Sequence, residues 1–104
     1  MEQNNKYELV KFIDNELELE VNVSPKEETI WMTQMQIAQL FNMTKQNVSL
    51  HINNIFKEGE LNKNSVVKDF FTTASDGKNY KIKYYNLDVV ILIGYRVNSM
   101  MLIL

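Results

Sequence analysis

From Lys45 to Lys57 the chain reads KQNVSLHINNIFK, a run rich in side-chain amides and without an acid. Gln and Asn can bond adenine at two atoms at once, and Lys can reach guanine or phosphate. These side chains serve recognition only if a helix lays them on one face. Helical spacing does so: with Val48, Ile52 and Ile55 inward, the opposite stripe is Gln46, Leu50, Asn53 and Lys57. Asn47 and Ser49 flank the stripe, and Thr44 and Lys45 stand at the helix start. A helix N-terminus itself favours phosphate. The bland reading of the same spacing is a solvated polar face on an ordinary helix pair.

Catalysis has little to draw on. The single histidine, His51, lies two residues from Ser49, so their side chains point about 200° apart on a helix and cannot pair directly. His51 sits beside Ile52, which predicts a partly buried place at the helix–helix seam. There are no cysteines, no phosphate-binding glycine loop and no metal-ligand spacing. The row Glu16, Glu18, Glu20 reads as the wet face of a strand rather than a metal site. Trp31, between Ile30 and Met32, reads as packing rather than as a base-stacking ring. No enzyme activity, metal, cofactor or small-molecule substrate is expected.

The elements that would position the polar stripe follow from caps and turns. Thr33 is a candidate N-cap with Gln36 three residues on, as in a capping box. A first helix then runs from Gln34 to Phe41. Asn42-Met43-Thr44 interrupts it, with Asn42 able to take a left-handed conformation. Thr44 caps the second helix, which Gly59 stops. Ala38 is small where the second helix must cross closely, and Ile37, Phe41, Val48 and Ile52 are apolar where the pair must pack. A helix of eight residues, a three-residue turn and a second helix is the helix-turn-helix pattern.

Hairpins are expected on both sides. Residues 6–13 and 17–23 suit a hairpin: the second run alternates with period two, and an Asp14-Asn15 turn pairs Phe12 with Leu17, Val10 with Leu19 and Lys11 with Glu18. Thr29 to Met32 suits a short strand. Residues 66–73 and 79–85 flank Asp76-Gly77, a strong hairpin marker. A two-residue turn there pairs Phe71 with Ile82 and Thr73 with Tyr80, leaving Thr72, Lys81 and Lys83 on the other face. The three tyrosines Tyr80, Tyr84 and Tyr85 would pack this ribbon onto the helices. Its tip carries Lys78 and Asn79, with Lys81 behind, suited to phosphates. Asn86 can cap a last helix from Leu87 to about Val97.

The chain has 104 residues, 45% hydrophobic and 23% charged, which fits one globular domain. Its formal charge is −2, but the sign is uneven. Residues 1–32 hold eight acids and three bases, whereas residues 33–57 hold Lys45, Lys57 and no acid. An electrostatic footprint is local, so the asymmetry matters more than the total. The N-terminus lacks a signal-peptide core, and Val89–Leu104 is too short and too interrupted to span a bilayer. A cytoplasmic protein without a membrane partner is expected.

Several blocks resemble the RhuM-type virulence protein family. They are Thr29-Ile30-Trp31-Met32-Thr33-Gln34, Ile37-Ala38-Gln39-Leu40-Phe41, Val48-Ser49, His51-Ile52 and Asn54-Ile55-Phe56. Further along come Glu58-Gly59-Glu60-Leu61, Thr73-Ala74-Ser75-Asp76-Gly77-Lys78, Tyr84-Tyr85-Asn86-Leu87-Asp88 and Gly94-Tyr95-Arg96-Val97-Asn98-Ser99. The blocks fall in family order over about residues 17–99. The resemblance implies a bacterial DNA-binding protein of mobile genetic elements. Two positions depart from it. Leu50 stands where the family looks basic, which suits contact with a thymine methyl or weakened binding. The chain also ends in Met100-Met101-Leu102-Ile103-Leu104 where the family continues in helix. That end reads as a truncation or as a segment buried in a dimer.

The resulting expectation is an α+β winged helix-turn-helix domain spanning 1–104. Its parts are an N-terminal β-hairpin at about 6–23, a helix-turn-helix at 33–57, a wing at 66–85 and a last helix at about 87–97. The expected partner is double-stranded DNA, bound sequence-specifically through Thr44, Lys45, Gln46, Asn47, Ser49, Leu50, Asn53 and Lys57, with Lys78, Asn79 and Lys81 on the wing. The alternative is a protein-interaction module of the same fold. A homodimer through the last helix and tail is expected in either case.

Overall fold

The computed structural model describes residues 8–14 and 17–103, with side chains except at 12, 14, 17 and 98–103. It is an α+β structure with strands β1 (Glu8–Asp14), β2 (Leu17–Ser24), β3 (Thr29–Met32), β4 (Val67–Thr73) and β5 (Asn79–Asn86). The helices are α1 (Gln34–Phe41), α2 (Lys45–Lys57), α3 (Lys63–Val66) and α4 (Leu87–Ile103). All five strands form one antiparallel sheet in the order β1-β2-β3-β5-β4. The two expected hairpins are thus not separate. The short strand β3 joins them, pairing Trp31 with Asn22 on one side and Asn86 on the other.

One sheet face packs on the helices. Leu19, Val21, Met32 and Tyr85 meet Ile37 and Ala38 of α1, Val48, Ile52 and Ile55 of α2, and Val89, Val90 and Ile93 of α4. These positions follow the periods of two and 3.6 that the sequence sets. The caps form as expected. Thr33 and Gln36 make the reciprocal capping box, with Gln36 N donating to Thr33 Oγ1 at 3.1 Å and Thr33 N to Gln36 Oε1 at 2.9 Å. Asn42 closes α1 in the left-handed region at φ 53°. Thr44 Oγ1 accepts from Asn47 N at 3.0 Å, and Asn86 Oδ1 accepts from Val89 N at 3.3 Å. After α2, the amides of Gly59 and Glu60 donate back to Phe56 and Ile55, which ends the helix.

The registers correct the expectation in two ways. In the first hairpin Phe12 pairs with Leu19, Val10 with Val21 and Asp14 with Leu17. The shift is two residues, which leaves the alternation of faces unchanged, and Lys11 still reaches Glu18 at 2.9 Å. In the second hairpin the shift is one residue, which exchanges faces. Phe70, not Phe71, pairs with Ile82, Thr72 pairs with Tyr80, and Phe71 stands opposite Lys81. The turn causes this. Ala74 N donates to Lys78 O at 2.9 Å around the three residues Ser75–Gly77, and Gly77 takes φ 82°. A three-residue loop with a left-handed glycine replaces the two-residue turn.

Two further expectations change, the packing of the tyrosines and the end of the last helix, while the packing of Trp31 is as expected. Only Tyr85 of the three tyrosines packs on the helices. Tyr84 lies on the far sheet face, 4.8 Å from Phe70, and Tyr80 is exposed and donates to Asp76. Trp31 is buried, but also on the far face, under Glu27 and Lys68 rather than in the helix-side core. The last helix runs to Ile103 rather than Val97, because residues 98–103 hold no glycine or proline to end it. Within α4, Gly94 admits the Phe41 ring: a Cβ there would lie 3.0 Å from Phe41 Cζ. The short α3 has no counterpart in the sequence reading. The expected burial of the tail in a dimer falls on side chains outside those described.

Candidate functional site

The polar stripe of α2 faces outward. Thr44, Lys45, Gln46, Asn47, Asn53 and Lys57 are exposed, Ser49 is partly exposed, and Leu50 shows 58% of its surface. Inward, Val48 and Ile55 are fully buried. The 3.6-residue period of α2 therefore separates a packing stripe from a wet one.

The sheet completes a groove beside that stripe. Because β5 alternates, Lys81, Lys83 and Tyr85 share the helix-side face. A cavity of about 680 Å³ opens there, lined by Thr33, Gln34, Met35, Lys45, Asn53, Lys81, Ile82, Lys83 and Tyr85. Three expected contact residues, Lys45, Asn53 and Lys81, come together in it. Among the described residues no carboxylate lines it. Asp69 stands at its margin, opposite Lys83 in register and 3.9 Å from Lys81 Nζ. An exposed pair at that distance contributes little.

Other expected residues stay apart. Lys57 is twelve residues along α2 from Lys45, about 18 Å by helix rise. Lys78 and Asn79 sit at the ribbon tip outside the groove lining. Asn79 Oδ1 accepts from Thr73 Oγ1 at 2.7 Å. Asp76 accepts from Lys78 N at 2.9 Å and from the Tyr80 hydroxyl at 2.7 Å. Those bonds, the Tyr80 one foremost, hold the Asp76 carboxyl below its ordinary pKa, so a negative charge stays at the tip. Arg96, the one base of the last helix, is tied to Glu58 at 2.6 Å and to Glu60, and adds no charge to the groove.

Sequence reasoning passed over Lys83, Gln34 and Met35. Lys83 was legible, since it alternates with Lys81 on one strand face. Nothing local marks Met35 or Gln34; they line the groove only because α1 starts where β3 delivers it. Among the described residues, no group of three or more His, Asp or Glu is placed to hold a metal ion. No helix of the described residues is long and apolar enough to cross a membrane.

His51 is partly buried at the seam between α2 and α4. Burial first, and the charge of Arg96 second, hold its imidazole below its ordinary pKa. The unfolded chain therefore binds this proton at higher pH than the fold does. His51 adds stability that is complete above about pH 6.5, the unfolded value, and is lost as pH falls through that value toward the lower folded one. His51→Gln should flatten the decline of the urea midpoint between about pH 7.5 and 5.5. An unchanged slope would assign the decline to other groups.

No protein-family model, curated protein or solved structure matches this chain.

Proposed function

We propose that this chain is a winged helix-turn-helix domain that binds double-stranded DNA, with α2 entering the major groove and β4–β5 as the wing. One observation carries the reading. The groove gathers Lys45 and Asn53 of α2 with Lys81 and Lys83 of β5, and among the described residues no carboxylate lines it. In this reading Gln46, Leu50 and Asn53 meet base edges, Leu50 against a thymine methyl, while Asn47 and Ser49 flank them. Thr44, Lys45, Lys57, Lys78, Asn79, Lys81 and Lys83 hold the backbone. The block-by-block likeness to RhuM-type proteins supports the same function and, with it, a regulator carried on a bacterial mobile element.

The test is a titration on random-sequence duplex at several salt concentrations. The five lysines of that set, at about −0.9 per neutralised phosphate, give a log–log slope of about −4.5. A slope near zero, or no complex at low salt, overturns the proposal.

A flat result would favour the second reading, a protein-interaction module of the same fold. The observation behind it is on α4, where Ile91 and Tyr95, one turn apart, show 56% and 69% of their surfaces. A second copy of the chain, paired about a two-fold axis, is the partner that reading names.

A further inference from the structure

Phe71 is the most exposed of the large hydrophobic residues among those described, at 76%. It contributes nothing visible to the ribbon's packing. The neighbouring ring, Phe70, makes the aromatic pair with Tyr84 on the far face. The three-residue turn sets Phe71 on the other face, directly opposite Lys81 and on the side where Lys81 and Lys83 line the groove. Its remaining neighbours on that face, Asp69 and Thr73, are polar. A protein-docking surface would surround such a ring with further apolar area. A lone aromatic ring facing a lysine on a two-stranded ribbon suits a nucleic acid instead, where lysines hold phosphates and an apolar wedge enters a base step.

We infer that Phe71 is a DNA contact, inserted between base pairs of the minor groove beside the site of α2 and bending the duplex there. The inference rests on the DNA-binding reading and deepens it. With α2 in the major groove, the ribbon crosses the adjacent backbone, and Lys81 at the phosphates brings Phe71 toward the neighbouring minor groove. Wedges of this kind kink DNA by about 20–90°. The ring carries no charge, so its loss leaves the count of released counterions unchanged.

The experiment compares the wild-type chain, Phe71→Ala and Phe71→Leu on end-labelled duplex, reading affinity, salt slope and end-to-end energy transfer. The wild type should shorten the end-to-end distance. Phe71→Ala should bind roughly tenfold or more weakly, because alanine has no ring to bury in the base step, with the bend abolished and the slope unchanged. Phe71→Leu should keep most of the bend. An exposed position makes the alanine variant's urea midpoint equal to that of the wild type. If the wild type binds without bending, or Phe71→Ala bends DNA as before, the inference falls and DNA binding stands. If the wild type binds no duplex, both fall. If Phe71→Ala instead dissociates a dimer without touching the bend, the ring is a protein contact and the inference is overturned.

Discussion

Replacing Lys45 and Lys83 together by glutamine should lower affinity for duplex DNA about 60-fold at roughly 0.1 M salt, with the salt slope reduced by about 1.8. The two lysines come from different elements, α2 and β5, yet line one groove. Each phosphate contact contributes a slope of about −0.9 through released counterions, worth nearly tenfold at that salt. Both side chains are exposed, so the variant should unfold at the wild-type urea concentration. The comparison with Lys57→Gln matters, because Lys57 lies at the far end of α2, outside the groove. If Lys57→Gln weakens binding strongly while Lys45 and Lys83 can be neutralised together without effect, the groove is not where the backbone lies.

Trp31→Ala should destabilise the fold by about 3–5 kcal/mol, the usual range for deleting a buried aromatic. Trp31 retains 2% of its surface. Its Nε1 donates to Glu27 Oε1 at 3.3 Å, and the Lys68 ammonium lies 4.7 Å from the ring centre. Glu27 also accepts from Ser24 at 2.8 Å and from Lys68 at 2.8 Å, bonds that hold its carboxyl below the ordinary value. The tryptophan thus packs on the sheet face opposite the helix-side core and ties β3 to β4. Domains of this size commonly have only about 5–15 kcal/mol of stability, so the variant should be close to unfolding at ambient temperature. Urea titration followed by circular dichroism reads the effect. A loss under about 1 kcal/mol, accompanied by weaker DNA binding, would mean that Trp31 stacks on a ligand instead.

Helices α1 and α2 and their caps were legible because their causes are local. Thr33 with Gln36, Asn42, Thr44 and Gly59 each act within a few residues. The outward stripe from Gln46 to Lys57 follows from the helical period once Val48, Ile52 and Ile55 turn inward. The first hairpin kept its faces despite a two-residue error, since alternation repeats every two residues and cannot distinguish such registers. The second hairpin lost its faces to a one-residue error. Asp76-Gly77 fits both a two-residue turn and the end of a three-residue loop, and only the bond from Ala74 to Lys78 selects the second.

By itself, then, the sequence determined an α+β chain with a polar, acid-free face on its second helix and the caps that expose it. Tertiary structure decided what that face is joined to. Strand β3 must pair on both edges to bury Met32, and in doing so it draws two distant hairpins into one sheet. That pairing sends Trp31 to the far side, brings Lys81 and Lys83 beside Lys45 and Asn53, and makes a groove from side chains 28 to 38 positions apart. No local propensity encodes such a juxtaposition, because it arises from the hydrogen-bonded edges and buried area that only the assembled sheet and helices provide.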